Sequence, residues 1–257
     1  MKPILRWLAL LTLWLAPAIG QAAPAGPITI AAAADLHHAM DDVVAAYKQA
    51  HPAATINVVY GSSGTLTTQI QQGAPFDLFF SADSDYPRQL AAAGQAGGPV
   101  TPYALGHLVL YSASLDMHGV RVADLVQPRF GRIAIANPEH APYGKRAQQA
   151  LQNAGIWEAV QPRLVFGENI AQTAEFARSG SAQVGIIALS LAMDAGSKGS
   201  YVAVPDSAFQ PLLQSFVLTK HGADNGLAQD FERYVQSPPA RVVLAHYGFN
   251  PPPAGQP

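Results

Sequence analysis

A short apolar run, a small or hydroxylated loop, an amphipathic helix and a closing glycine recur in series along this chain. Residues 28–34 read as a strand. Leu36, Met40, Val43, Val44 and Tyr47 then recur at helical spacing until His51-Pro52 stops them. Residues 56–60 and 77–81 read as strands, and 66–72 and 86–93 as helices closed by Gly73 and Gly94. Strand–helix units in a row predict a parallel sheet with helices on both faces. A Gly- and Pro-rich passage, 94–102, interrupts the rhythm, and 107–111 resumes as a strand. A second series follows: strand 132–136, helix 145–153 closed by Gly155, strand 164–166, helix 171–179 and strand 184–188. Beyond Pro205 come a strand over 215–219 and helices over 226–236 and 239–246. The expected architecture is α/β with two lobes, 28–106 plus 212–250 and 107–211. Each carries a parallel-rich sheet with flanking helices, a cleft lies between them, and 251–257 is a loose tail.

The N-terminus reads as a secretory signal peptide over residues 1–22. Lys2 and Arg6 precede an apolar run, 7–15, that is too short to span a bilayer, and Pro17 and small residues follow. The sequence has no Cys, so neither a lipid-attachment cysteine nor a disulfide is available. A released protein of the bacterial periplasm is the expectation. Loss of Lys2 and Arg6 takes the formal charge from −2 to about −4. A mildly acidic surface argues against nucleic acid and anionic lipid as partners. Charged residues make up 12% of the chain and hydrophobic ones 49%, which predicts a filled core rather than disorder.

In open α/β sheets ligands sit at the carboxyl ends of strands. Loops at such ends are alike here: Ala33-Ala34-Asp35, Gly61-Ser62-Ser63-Gly64, 137–144 and Gly167-Glu168-Asn169-Ile170. The second is a Gly/Ser turn between a strand and a helix, so backbone N–H groups and two hydroxyls gather at the positive end of a helix dipole. No Lys or Arg stands inside it. Alone, it would be a plain turn with a Ser cap. Two such loops per lobe, facing across a cleft, would surround a small anion.

The stretches Ala31-Ala32-Ala33-Ala34-Asp35-Leu36, Gly61-Ser62-Ser63-Gly64-Thr65-Leu66, 69–83, Asn137-Pro138-Glu139-His140-Ala141-Pro142-Tyr143-Gly144, Gly167-Glu168-Asn169-Ile170 and His246-Tyr247-Gly248-Phe249 resemble the periplasmic molybdate-binding proteins of ABC importers, the ModA family. The resemblance covers nearly all of the chain after the signal segment. It implies a hinge-closing fold of type II that holds one oxyanion, molybdate or tungstate, without metal or organic cofactor. It implies a monomer that delivers the anion to a membrane permease, and not an enzyme. Carried over by position, the ligand contacts fall on Asp35, Ser63, Tyr143 and Ile170, with Ala34, Ser62 and Gly64 supporting. Ser63, Tyr143 and Ile170 would meet the metal only through the oxyanion's oxygens, the last two by backbone N–H. Many members have Ser where Asp35 stands, and some have a Tyr donor where Ala188 stands.

A dianion stripped of water needs hydrogen bonds on all its oxygens, and donors alone reject an anion that carries O–H. Asp35 cuts across that picture. A carboxylate about 4 Å from a unit negative charge costs about 4 kcal/mol at an effective dielectric near 20. One reading makes Asp35 an outward-turned cap of the helix beginning at Leu36, offering only its N–H. The other turns it inward to accept a proton from a ligand such as phosphate or arsenate. The family frame favours the cap.

Other chemistry is weak. A nucleophile elbow would need Gly where Thr65 stands, and a hydrolase using Ser63 has no evident base. Adjacent His37 and His38 point different ways on a helix, which suits a metal poorly. Asp77 and Asp83 flank a strand and are expected to fix turns, and Glu139-His140 to sit in a structured loop. Arg129, Arg132, Lys145 and Arg146 are expected to be solvated or to raise the cleft potential. A sensor subunit is compatible with the same pattern. N-terminal sequencing of the periplasmic protein is expected to begin near Ala23 or Gly26. An intact 7–15 segment in a membrane fraction would refute the cleavage.

Overall fold

The computed structural model describes residues 26–193 and 198–253, so the signal-peptide reading and the end of the tail lie outside the described residues. In chain order the first half contains β1 (Ile28–Ala33), α1 (His37–Ala50), β2 (Ile56–Gly61), α2 (Ser63–Gln71), β3 (Leu78–Ser81), α3 (Asp85–Ala92), β4 (Thr101–Gly106) and β5 (Leu108–Ser112). Then come β6 (Ile133–Ala136), α4 (Pro142–Asn153), α5 (Trp157–Val160), β7 (Leu164–Gly167), α6 (Ile170–Arg178), β8 (Val184–Ala188) and α7 (Leu189–Ala192). The chain ends with β9 (Ser200–Ala203), β10 (Leu212–Leu218), α8 (Gly226–Val235) and α9 (Pro238–His246).

The strands form two five-stranded sheets, ordered β2-β1-β3-β10-β4 and β7-β6-β8-β5-β9. β1 pairs in parallel with β2 and β3, and β6 with β7 and β8. β10 and β5 are antiparallel to their neighbours. The βα series therefore folds as its apolar periodicity predicts, and Gly73, Gly94 and Gly155 take the positive φ that helix-ending turns require.

Alternate residues of a strand face opposite sides of a sheet, and both sides of the first sheet are covered. Ile30, Leu78, Phe80 and Phe216 belong to the core under α1, α8 and α9. Ala31, Phe79 and Val217 belong to the core under α2 and α3, with Leu66, Ile70 and Leu90. Strands buried on both faces read as unbroken apolar runs, which is why they were legible.

Two strands lie where none was expected. β4 falls within and beyond the Gly/Pro-rich passage, and β9 follows 198–199. Both are edge strands. Pro102 is tolerated because an edge strand needs hydrogen bonds on one side only. α4 begins at Pro142 rather than 145, since Pro suits the first helical position. β10 begins at Leu212 rather than 215 and carries an irregularity at Gln214/Ser215. Leu105 and Asn250 form an isolated bridge that ties down the chain just before the tail. Among the described residues no helix is long and apolar enough to cross a membrane.

α4 lies hard against β6 at Gly144, where an added Cβ would come within 2.0 Å of the Ala136 carbonyl oxygen. Gly144→Ala is therefore expected to destabilise the fold by about 1–3 kcal/mol through backbone displacement. Thermal unfolding checks this, with a fall in Tm of roughly 2–4 °C per kcal/mol.

Candidate functional site

Between the two sheets lies a small cavity walled by the starts of helical segments. Ala34 and Asp35 come from a 3₁₀ turn directly after β1, and Ser62 and Ser63 from the junction of β2 and α2. Pro142 and Tyr143 open α4, and Ile170 opens α6. The cavity is far smaller than the surface groove beside α9. First-turn N–H groups have no acceptor within their own helix, and each helix start carries roughly half a positive charge. No lining residue is Lys or Arg. The wall thus offers neutral donors and dipoles to an anion.

The fold brings Asp35, Ser63, Tyr143 and Ile170 to this one cavity from four places in the sequence, together with Ala34 and Ser62. Ser63 is fully buried, and its Oγ accepts from the Ala82 N–H at 3.1 Å, so its hydroxyl proton can be donated elsewhere. Gly64 plays a different part from the one expected. It does not line the cavity; its N–H donates to the His140 carbonyl at 2.9 Å, joining the halves. Ser62 accepts from the Thr65 N–H at 3.4 Å as the cap of α2, and its Oγ lies 2.8 Å from His140 Nδ1. His140 Nε2 lies 3.6 Å from Glu168 on the rim. Ala188 is buried at the end of β8 and is not among the lining residues.

Asp35 departs furthest from expectation. It is not a cap: neither the 3₁₀ turn nor α1 has a side-chain cap hydrogen bond. Its side chain is buried, and Oδ2 accepts from Gln214 Nε2 at 2.6 Å. The same amide group donates to the Tyr143 hydroxyl at 3.1 Å. Ser190 Oγ donates to the Asp35 carbonyl at 2.8 Å. The Tyr143 side chain, expected to matter little, is therefore part of the site's frame. Burial pushes the Asp35 carboxyl up to about 6, although hydrogen bonding from Gln214 and Tyr143 pulls the other way. Burial first, and then the Asp35 charge, raises the Tyr143 and Tyr103 hydroxyls well above their usual range.

Arg146 also corrects the sequence reading. It is buried and paired with Asp83 at 2.7 Å across the two halves, not solvated. Asp83 also fixes its turn as expected, accepting from the Asp85 N–H at 3.0 Å. Asp77 instead accepts from the Thr29 N–H of β1 at 2.7 Å, a contact between segments 48 residues apart rather than within a turn. Gln214, His140 and Ser190 were missed as site residues. Gln214 gave a faint signal, a polar residue inside an apolar run, but nothing in sequence ties it to Asp35. Among the described residues no group of three or more His, Asp or Glu is arranged to hold a metal ion.

Residues 28–250 match the model of the bacterial extracellular solute-binding protein family. The chain belongs to that family. It is 35% identical to the molybdate-binding protein ModA of Rhodobacter capsulatus, over 91% of this chain and 93% of that one. It is 36% identical to ModA of Azotobacter vinelandii, over 89% and 91%. The solved Azotobacter vinelandii periplasmic molybdate-binding protein superposes with a TM-score of 0.80 at 29% identity, covering 88% of this chain and all of that one. The ModA resemblance and the two-sheet binding-protein fold are thus both borne out.

For this solute-binding protein the raised Asp35 carboxyl has a stability consequence. A carboxyl whose folded value, about 6, exceeds its reference value of 3.8 favours the fold below the lower value. That contribution is lost as pH rises through about 6. The ionised, buried form then costs about 3 kcal/mol, at roughly 1.4 kcal/mol per pKa unit. Asp35→Asn is expected to be more stable than wild type in urea near neutral pH and to lose the decline between about pH 4 and 6.

Proposed function

We propose that this protein captures molybdate, and tungstate similarly, in the cavity between its halves and delivers it to the membrane permease of an ABC importer. The observation that carries the reading is a small cavity, free of Lys and Arg, walled by first-turn residues from both sheets. It coincides with the Asp35, Ser63, Tyr143 and Ile170 positions. The names of the relatives from Rhodobacter capsulatus and Azotobacter vinelandii supply the choice of oxyanion.

In this reading Ser63 donates its hydroxyl and N–H to the anion, and Tyr143 and Ile170 donate their N–H groups. Asp35 meets the anion from the fourth loop. Residues 28–106 plus 212–250 and 107–211 act as two lobes closing on it. The protein works as a periplasmic monomer and catalyses no reaction. Preorganised N–H donors lose little entropy on binding, and water excluded from the cavity strengthens each hydrogen bond to the charge. His140 touches Ser62, which caps α2, while Ser63 Oγ is held by Ala82. Ser63 is therefore equipped as a donor to a bound anion rather than as an activated nucleophile.

Sodium molybdate and sodium tungstate are each expected to raise the unfolding temperature, with sulfate and phosphate far less effective. A thousandfold excess over Kd corresponds to about 4 kcal/mol. Ser63→Ala is expected to lose about 1.5–3 kcal/mol of binding, as for a hydrogen bond to a charged group. The absence of a thermal shift with either metal oxyanion sinks the assignment. Undiminished binding by Ser63→Ala moves the site elsewhere.

A further inference from the structure

Resting on the oxyanion reading, we propose that the cavity takes up its anion together with one proton, held between Asp35 Oδ1 and a ligand oxygen. Asp35 is then the residue that sets which charge state of the solute is bound. The two oxygens of its carboxylate are treated differently by the fold. Oδ2 accepts from Gln214, whose amide is itself held by the Tyr103 and Tyr143 hydroxyls. Oδ1 is buried and has no hydrogen-bond partner among the described residues. Asp35 is 1% exposed and lines the cavity. An acceptor buried without a donor is costly. A solute made only of acceptors cannot supply that donor, but a proton carried in with it can.

The carboxyl is met by uncharged donors, the Gln214 amide and the Tyr143 hydroxyl. β4 brings Tyr103 against this region, β10 brings Gln214, and α7 brings Ser190. α4 brings Tyr143 and Arg146, and Arg146 is committed to Asp83. The loop before α4 brings His140, which is committed to Ser62 and Glu168. α1 begins with His37, whose ring packs on Tyr60. Among the described residues lining the cavity, no Lys or Arg offsets a negative Asp35 beside a negative anion. Without a proton the two repel at close range; with it, the repulsion becomes a charge-assisted hydrogen bond. The elevated carboxyl value is in accord with this geometry. The balance is simple: carboxylate, dianion and one proton from solution give one complex. No other bond is made or broken.

Calorimetry of the mature protein with sodium molybdate tests this, run from about pH 6.5 to 8.5 in two buffers of different ionisation heat. Wild type is expected to take up about one proton per anion at the upper end, with Kd rising about tenfold per pH unit. Asp35→Asn is expected to show neither effect, and Asp35→Ser repeats the test should the first variant fold poorly. Molybdate binding by wild type without proton uptake overturns the inference and leaves the oxyanion reading standing. So does unchanged uptake in the folded variant. No molybdate binding at any pH overturns both.

Discussion

Parallel pairing governs where everything else in this molecule falls. Strands that run side by side in one direction end on the same edge of their sheet, and the chain must cross back over a face before the next can begin. β1, β2 and β3 end together, as do β6 and β7, and the residues that follow open helical segments. The first-turn N–H groups of those segments therefore gather in one place without any special device. Two sheets built this way and facing each other enclose a space lined by helix starts. A cavity that prefers anions is a consequence of topology before any side chain is chosen. The antiparallel strands β5 and β10 lie inside their sheets next to the runs that join the halves. β10 also places Gln214 beneath Asp35.

What could be read from sequence follows the range of each interaction. The central strands were legible because residues such as Ile30, Phe79 and Phe80 are buried whichever face they meet, leaving unbroken apolar runs. The Gly/Ser turn at 61–64 was legible because a cap and a helix start are local events, and the Ser62 to Thr65 bond spans one turn. β4 and β9 were hidden because an edge strand buries only part of itself, and Pro102 argued against a strand. The contacts that assemble the site were not legible. Asp83 and Arg146 are 63 residues apart and Asp35 and Gln214 are 179 apart. No periodicity or motif links residues at such separations. The family resemblance supplied positions for Asp35, Ser63, Tyr143 and Ile170, but not the orientation of a side chain that departs from the family's usual Ser.

Two buried carboxylates show why that orientation matters. Asp83 faces a guanidinium, so its charge is met by an opposite charge. Asp35 faces an amide and two phenols, groups that can donate a hydrogen bond but cannot neutralise. A neutral donor lowers the cost of burying a charge without removing it. Both carboxylates sit near the cavity, but the one inside it lacks a counter-ion. An outward cap would have needed no such frame, and a serine would have needed no Gln214.

The contacts that hold the halves together bear on affinity in unequal ways. Gly64 to His140, Ser62 to His140 and Arg146 to Asp83 ring the cavity and do not involve a solute. Removing Asp83 by mutation leaves a guanidinium buried and unmatched, which is severe. Parting the halves is different, because both groups then regain water and the pair costs little to separate. The ion pair therefore fixes how the halves meet more than how tightly. The Gly64 N–H to carbonyl bond is likewise exchanged for water on opening. If the closed state has only a small intrinsic advantage, solute binding decides the equilibrium, since a ligand shifts two states only by its differential affinity for them. In the proposed binding mode the donors come from both sheets, so all of them are engaged only while the halves meet. On that reading, drawing the halves apart removes half the donors at once.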